Sequence, residues 1–250
     1  MEHQPGLRIQ LCGRVAIDRG GERLEAGLPG RQGRRCFVYL AANRARPVAR
    51  TELAAAVWEA QPPPAADAAL SALTSKLRRL LGAEALPARG DLQLVLPAGT
   101  WVDLEAAREA VHRAEAAVAC GAWARAWSAS QVALHTARRG LLSGDEGDWI
   151  DELRRELDTL HLRALEAYGE GALGLGGAEL AAAERAGRAL VRMAPYREAG
   201  HRLLMRALVA RANPAEALAA YEELRVLLRD ELGIAPSGPT QELHLAILGG

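Results

Sequence analysis

Three cations fall within four residues near the end of a segment whose leucines have helical spacing. The segment is AADAALSALTSKLRRLLG, residues 65–82. At 100° per residue its leucines lie within an arc of about 100°, the width of a stripe that faces a protein core. The opposite face carries small, hydroxylated and cationic side chains, which can donate hydrogen bonds to bases or phosphates. The residues of this face are Ala68, Ser71, Ala72, Ser75, Lys76 and Arg79, with Arg78 and Thr74 on one flank.

This face has two interpretations. It could contact a polyanion, or it could be an ordinary solvated helix face whose C-terminal cations interact favourably with the helix dipole. The helix alone does not distinguish these two interpretations. The strands and helices predicted around it do, because they define the fold that would position it.

The N-terminal stretch indicates strands. LRIQLCGRVAID, residues 7–18, alternates apolar and polar residues with a break at Gly13, and the pair Gly20-Gly21 is a turn signal. The sequence therefore predicts two or three short antiparallel strands ahead of the first helix.

Two helices are predicted before the basic one. The first, in RQGRRCFVYLAANR, ends near Asn43. The second lies in VARTELAAAVWEAQPPP, where Thr51 is the expected cap and the prolines end the helix. Leu53, Val57 and Trp58 should face its core.

The basic helix closes at Gly82, a typical C-terminal cap, and alternation then resumes around Gly90-Asp91, which is typical of a hairpin. Strands, three helices and a hairpin in this order are the elements of a winged helix-turn-helix, whose third helix enters the DNA major groove.

From residue 103 the sequence becomes a succession of helices rich in Ala, Leu, Glu and Arg. The predicted helices span residues 103–120, 122–140, 148–172, 178–193, 197–211, 214–231 and 238–248. Ala183 and Ala217, and likewise Leu190 and Leu224, are 34 residues apart, the period of tetratricopeptide helix pairs. Gly187 and Tyr221, and likewise Pro195 and Arg229, do not match at this spacing, so stacked helical hairpins are expected without an exact repeat count.

Charge is divided between these two parts. The chain holds 31 Lys and Arg against 31 Asp and Glu. Residues 1–101 carry 14 cations and 9 anions, whereas residues 102–250 carry 17 and 22. Such a division is expected when one part meets phosphate and the other meets protein or solvent, although a difference of this size also arises by chance.

Composition favours a helical protein without disulfides. Half of the residues are hydrophobic and only 4% are aromatic, so Ala and Leu carry the apolar content. Cys12, Cys36 and Cys120 are odd in number and lack metal-ligand spacing, which indicates reduced thiols in a cytoplasmic protein. No apolar run approaches the roughly 20 residues of a membrane span, so no membrane partner is expected.

Enzymatic motifs are missing from the sequence. It contains no GxxxxGK[ST], HExxH or GxSxG pattern, and the glycine-rich GALGLGG of residues 171–177 lies between two predicted helices. We therefore expect no catalytic residue, no metal site and no cofactor.

Three segments carry a family resemblance. GRQGRRCFVYLAANRARPVARTELAAAVWEAQPPPAADAALSALTSKLRRLLG resembles the DNA-binding half of the Streptomyces antibiotic regulatory protein (SARP) family. YREAGHRLLMRALVARANPAEALAAYEELRVLLRDELGIAPSGPTQELHLAIL resembles the bacterial transcriptional activator domain that follows it, and LPAGTWVDLEAAREAV resembles the passage between them. The resemblance implies a mainly α protein with small β content: an OmpR-type winged helix-turn-helix over residues 1–101, then an all-α tetratricopeptide-like domain over residues 102–250.

The resemblance also implies a function. Such a protein is a transcriptional activator that binds direct repeats in double-stranded promoter DNA. It is expected to be a homodimer, at least when bound to DNA. It recruits RNA polymerase, including its sigma factor, for a secondary-metabolite gene cluster. The implied DNA-facing residues of the third helix are Ser71, Ala72, Ser75, Lys76, Arg78 and Arg79. Arg50 and Thr51 would meet phosphate, and Arg89 in the wing would approach the minor groove or backbone. Arg34 and Arg35 are equally compatible with phosphate contact and with a solvated helix start.

One position departs from the family. Many members carry Arg-Asn where this chain has Asp67-Ala68. An acidic side chain close to phosphate is repelled, so Asp67 is expected either to cap the third helix or to accept a hydrogen bond from a cytosine amine.

Two alternatives to an activator remain open: a tetratricopeptide-like scaffold for protein interactions, and a repressor with the same fold. If the acidic helical part supplies dimer or polymerase contacts, deleting residues 103–250 should abolish activation while leaving weaker DNA binding.

Overall fold

The computed structural model describes residues 6–59, 61–87 and 90–249. Within these ranges the chain forms four strands and ten α-helices. The strands are β1 (Leu7–Gln10), β2 (Ala16–Arg19), β3 (Glu22–Arg23) and β4 (Trp101–Val102). The helices are α1 (Gly30–Ala42), α2 (Arg50–Trp58), α3 (Ala66–Leu81), α4 (Asp103–Ala119), α5 (Trp123–Ala137), α6 (Asp148–Leu175), α7 (Leu180–Met193), α8 (Glu198–Ala210), α9 (Pro214–Leu232) and α10 (Gly238–Gly249).

The chain divides into two compact units. The first comprises Met1–Ala106 and Arg139–Glu156, and the second comprises Ala107–Arg138 and Leu157–Gly250. The first unit thus includes a segment well beyond the residues 1–101 assigned to it from the sequence.

The sheet of the first unit has the strand order β3-β2-β1-β4. β1, β2 and β3 pair antiparallel, so the prediction of short antiparallel strands is confirmed. Gly20 and Gly21 both have positive φ, which the tight turn between β2 and β3 requires. β4 adds in parallel beside β1 and places Trp101 next to Arg8, whose guanidinium lies 4.9 Å from the centre of the indole ring.

The three helices of the first unit pack on one another around apolar side chains that are removed from solvent. Phe37 and Leu40 of α1, Leu53 of α2, and Leu70 and Leu77 of α3 are all fully buried. α1 ends next to Asn43, as predicted, and the Asn43 amide nitrogens donate to the Tyr39 carbonyl at its end.

α2 begins earlier than the sequence predicts. Its N-cap is Ala49, and Thr51 is an exposed residue of the first turn, so the prediction that Thr51 caps this helix is wrong. The reason lies in a distant segment. Val48 and Leu92 exchange two backbone hydrogen bonds of 2.8 Å, which keeps the chain extended until the helix starts at Arg50.

The predicted hairpin after α3 is replaced, in its described part, by this same contact. Leu92 forms an isolated antiparallel bridge with Val48, and residues 90–100 of the described chain contain no strand. The segment pairs with the chain between α1 and α2 because Leu92 is buried there. Arg89 lies outside the described residues.

The second unit consists of paired helices. All seven helices predicted from residue 103 onward form, with ends within three residues of the prediction. α7 packs on α8, and α8 on α9. The four residues with 34-residue spacing are at most 1% exposed: Ala183, Leu190, Ala217 and Leu224. Gly187 allows close approach of α7 and α8, because a Cβ there would lie 2.8 Å from Cα of Leu204.

Within the described residues, Cys12, Cys36 and Cys120 form no disulfide bond. Across the ranges given above, every helix is too short or too polar to cross a membrane.

Candidate nucleic-acid interface

The two faces of α3 are separated as its spacing predicts. Leu70, Leu77 and Leu81 are buried, and the face opposite them is open to solvent. Its exposed residues are Asp67, Ala68, Ser71, Ala72, Ser75, Lys76 and Arg79. Thr74 differs from the sequence interpretation: it is buried, and its hydroxyl donates to the Leu70 carbonyl at 3.0 Å. It therefore belongs to the core side of the helix.

The C-terminal end of α3 is fixed to the sheet. The Arg19 guanidinium in β2 donates through Nη2 to the carbonyl of Leu81, at 2.9 Å. Gly82 then ends the helix with a φ of 112°, which an L side chain rarely adopts. The prediction of Gly82 as the C-cap is confirmed.

The N-terminal end of α3 is joined to α2 by one arginine. Arg50 donates through Nε to Oδ1 of Asp67 at 2.9 Å, and through Nη2 to Oγ of Ser71 at 2.7 Å. Nη2 also lies 2.9 Å from the same Oδ1 and 3.4 Å from the Asp67 carbonyl oxygen. Two residues that the family resemblance places on DNA, Arg50 and Ser71, are thus in direct contact, and Asp67 binds Arg50 instead of capping α3.

The three cations of the basic helix do not share one environment. Lys76 and Arg79 are exposed, and neither is in any ion pair found among the described residues. Arg78 is half-buried and donates through Nε to the Ala83 carbonyl at 3.4 Å. It turns toward a cleft beyond the end of α3, whose wall includes Glu84 and Asp91. Two cations therefore remain on the open face, and the third lies at its edge.

The N-terminus of α2 is also suited to an anion. Its N-cap, Ala49, has no side-chain acceptor, so the first-turn amides are left for solvent or a bound group. The only acid in that turn, Glu52, is occupied: Arg46 and the Tyr39 hydroxyl hold its pKa at about 2. The Tyr39 hydroxyl lies 2.6 Å from Oε1 of Glu52. Thr51 stands exposed beside these amides.

Arg34 and Arg35 have opposite environments. Arg34 is exposed. Arg35 is only 5% exposed, donates to the Ala56 carbonyl at 3.1 Å, and forms an ion pair with Glu59. Neither interpretation offered from the sequence, phosphate contact or solvation, holds for Arg35, because a partner 24 residues away takes it into the interior.

The residues that brace these helices from a distance are not predicted from the sequence. Trp149, in the first turn of α6, donates its indole N–H to the Ala56 carbonyl at 2.9 Å. Asp103, at the start of α4, is fully buried and accepts the N–H groups of Leu11 and Cys12 at 2.8 and 3.1 Å. An Asp after a predicted strand is a recognisable helix-start signal, but no signal in the sequence points to Trp149.

The described residues contain no group of three or more His, Cys, Asp or Glu side chains placed to hold a metal ion. What they present instead is one anchored helix with an open polar and cationic face, next to an uncapped helix N-terminus. These features, with a small sheet and a following unit of paired helices, define the architecture of a winged-helix regulator.

Comparison with known proteins agrees with that architecture. The family model of the bacterial transcriptional activator domain matches residues 102–248. Regulatory protein AfsR of Streptomyces coelicolor is 33% identical over 249 residues, which cover 99% of this chain and 25% of AfsR. Transcriptional regulatory protein EmbR of Mycobacterium tuberculosis is 29% identical over 247 residues, covering 94% of this chain and 61% of EmbR.

The structure of Mycobacterium tuberculosis EmbR in complex with a low affinity phosphopeptide superposes with a TM-score of 0.84 at 27% identity. The match covers 97% of this chain and 65% of the EmbR chain. The prediction of a mainly α fold with small β content, a winged helix-turn-helix and an all-α domain is confirmed.

The chain belongs to the bacterial transcriptional activator domain family, among the SARP-type transcriptional regulators. It spans about a quarter of the length of the AfsR proteins it matches. By name, AfsR is a regulatory protein and EmbR is a transcriptional regulatory protein.

Proposed function

We propose that this protein is a sequence-specific DNA-binding transcriptional activator that places α3 in the major groove. The observation that carries the proposal is the open face of α3, where exposed Lys76 and Arg79 stand opposite a buried leucine stripe. A helix anchored at both ends presents such a face rigidly, which base recognition requires.

Each predicted contact residue has a role in this proposal. Ser71, Ala72 and Ser75 approach the base edges, where small side chains permit close contact. Lys76 and Arg79 bind phosphates, and Arg78 reaches the backbone from the edge of the face. Arg50 and Thr51 bind a phosphate at the N-terminus of α2. Arg89, outside the described residues, stays a prediction for the wing.

Family membership supports the proposed partners. We propose that the protein binds direct repeats in promoter DNA, forms a homodimer at least there, and recruits RNA polymerase including its sigma factor. Its target would be a secondary-metabolite gene cluster. We further propose that it acts in the cytoplasm at the nucleoid, without catalytic activity or a cofactor. Residues 1–101 would bind DNA, and residues 102–250 would supply the activator function.

The salt dependence of DNA binding tests the central step. A protein that neutralises phosphates releases counterions, so its affinity falls steeply with salt. In the full chain, Lys76→Ala with Arg79→Ala should weaken binding to promoter DNA. The slope of log affinity against log salt should fall by about two, one for each lost phosphate contact.

The matched control removes two arginines from the second unit. Arg185 and Arg192 of α7 are also exposed, so Arg185→Ala with Arg192→Ala makes the same change in charge and should leave the slope unaltered. An unchanged slope for the α3 variant would contradict the proposal and favour the scaffold.

Activation is tested separately from binding. Transcription in vitro with RNA polymerase should increase when the full chain is added to a template that carries its binding sites. A decrease would identify a repressor with the same fold, since both kinds of regulator bind DNA.

A further inference from the structure

We propose that Arg50 sets the base preference of α3 by dividing hydrogen-bonding roles between Asp67 and Ser71. Asp67 becomes the acceptor that reads an exocyclic base amine, with cytosine expected, and Ser71 becomes a donor that reads a base acceptor. This inference rests on the proposed insertion of α3 into the major groove and names the specificity of that surface.

Arg50 binds only one of the two carboxylate oxygens of Asp67 among the contacts of the described residues. Its Nε and Nη2 both approach Oδ1 of Asp67, at 2.9 Å. No hydrogen bond to Oδ2 of Asp67 is found among the described residues. One carboxylate oxygen is therefore held, while the other is presented on a side chain that is 81% exposed.

A carboxylate can only accept hydrogen bonds. In the major groove, the donors are the N4 amine of cytosine and the N6 amine of adenine, whereas guanine and thymine offer acceptors at the corresponding edge. The free oxygen of Asp67 is attracted by an amine and repelled by the O6 and N7 atoms of guanine. Cytosine is the base that acidic side chains usually read.

Ser71 is placed in the complementary role. Its Oγ accepts from Nη2 of Arg50 at 2.7 Å, so its own hydroxyl proton is left to donate. By contrast, the hydroxyl proton of the buried Thr74 is already donated, to the backbone carbonyls of Leu70 and Ser71. No such bond of the Ser71 hydroxyl is found in the described part of the chain, and its exposed position directs the donor toward the groove.

Arg50 also offsets the repulsion between the Asp67 carboxylate and the DNA phosphates. Its positive charge is held against Asp67, so the pair approaches DNA without a net negative charge. The Arg50 side chain is 26% exposed, and a guanidinium has five N–H donors. Its Nη1 group makes no hydrogen bond found among the described residues, and remains for the phosphate contact.

The spacing fits two separate bases. Asp67 and Ser71 are four residues apart, which is one helical turn and about 6 Å along α3. Neighbouring base pairs are about 3.4 Å apart along DNA. The two side chains should therefore read positions one or two steps apart in each half-site.

The test is selection of binding sites by the full chain from a pool of random duplexes. In Asp67→Asn, Arg50 can keep the side-chain oxygen, which turns the amide NH₂ outward as a donor. The base preferred at one position should change from cytosine toward guanine or thymine, with a change in relative affinity of about tenfold.

Two further variants isolate the cause. Glu22→Gln removes the same charge from an exposed acid of β3 and should select the unaltered sites. Arg50→Lys keeps the charge but lacks the planar fork that reaches Asp67 and Ser71 together. It should retain the salt slope, lose preference at both positions, and unfold at the same temperature as the unsubstituted protein.

Loss in Asp67→Asn of a preference for cytosine, or for adenine as the other base with an exocyclic amine in the major groove, supports the inference, with or without a new preference for guanine or thymine. The inference is overturned if both proteins select the same base at every position, or if the altered position originally holds guanine or thymine. Retention of both preferences by Arg50→Lys also overturns it. Failure of the unsubstituted protein to select any site would instead reject the proposed function.

Discussion

The indole N–H of Trp149 donates to the carbonyl oxygen of Ala56 in the last turn of α2, at 2.9 Å. The same ring meets Tyr39 of α1 edge-on, with ring centres 5.1 Å apart, and its centre lies 6.0 Å from the guanidinium carbon of Arg35. A residue near the start of α6 therefore ties together the two helices that carry α3.

Substitution of Trp149 should destabilise the first unit. In Trp149→Ala, the ring contacts and the hydrogen bond are lost, and we expect the free energy of unfolding to fall by about 2–3 kcal/mol, less than for a fully buried Trp. Trp149→Phe keeps a ring and should cost about 1 kcal/mol, the value of one hydrogen bond. Denaturant unfolding measures both changes. Equal stability of Trp149→Ala and the unsubstituted protein would show that this contact does not brace the helices.

Asp103 should be required for the sheet of the first unit. Asp103→Ala removes the carboxylate that accepts from the buried N–H groups of Leu11 and Cys12, at a cost of about 1–3 kcal/mol for each group left unsatisfied. Thermal unfolding should show the loss. Asp91→Ala, at an exposed acid of the same unit, is the control and should change the unfolding temperature little.

The contacts of Trp149 and Asp103 alter the expected effect of deleting residues 103–250. Removing residues 103–250 takes away Asp103 and Trp149 as well as the second unit. We therefore expect residues 1–102 to fold poorly and to lose DNA binding for that reason, whereas the sequence alone predicts weaker but persistent binding. Circular dichroism of the fragment distinguishes the two outcomes, because a folded fragment would retain its helical signal.

Stability should depend on Glu52 in acid. Arg46 and Tyr39 hold the pKa of Glu52 at about 2, below its ordinary value of 4.5. A lowered carboxyl pKa contributes stability that is present above pH 4.5 and is lost as the pH falls toward 2. Because a third of the side chain is exposed, solvent screening limits the contribution to about 1 kcal/mol. Relative to Glu52→Gln, the unsubstituted protein should lose this amount between pH 4.5 and 2; parallel pH curves would contradict the assignment.

The close contact of α7 and α8 should not tolerate a side chain at Gly187. A Cβ there would lie 2.8 Å from Cα and 2.9 Å from N of Leu204, and backbone atoms cannot move aside as a flexible side chain can. Gly187→Ala should therefore destabilise the second unit by about 1–3 kcal/mol, the usual cost of overpacking. Gly238→Ala, where an added Cβ would stand in open space, should leave the unfolding midpoint almost unchanged.

Local patterns account for most of the secondary structure and for the open face of α3. The leucine spacing at Leu70 and Leu77 places Ser75, Lys76 and Arg79 on the solvent side, because a helix repeats every 3.6 residues whatever surrounds it. In the described part of the predicted hairpin around Gly90-Asp91, Leu92 instead pairs with Val48, a residue far away in the chain.

Partner choice was decided by tertiary structure. The sequence leaves Arg35 equally compatible with phosphate contact and with solvation, but in the structure it pairs with Glu59 and lies beside Trp149. The sequence predicts that Asp67 either caps α3 or accepts from a cytosine amine, and the structure places Arg50 of α2 within 2.9 Å of its carboxylate. Most helix spans and the polar face of α3 follow from local patterns, since both depend on neighbours a few residues apart; the start of α2 and the burial of Thr74 are the exceptions. The partners of Arg35 and Asp67 depend on the tertiary fold, because these ion pairs join residues 24 and 17 positions apart in the chain.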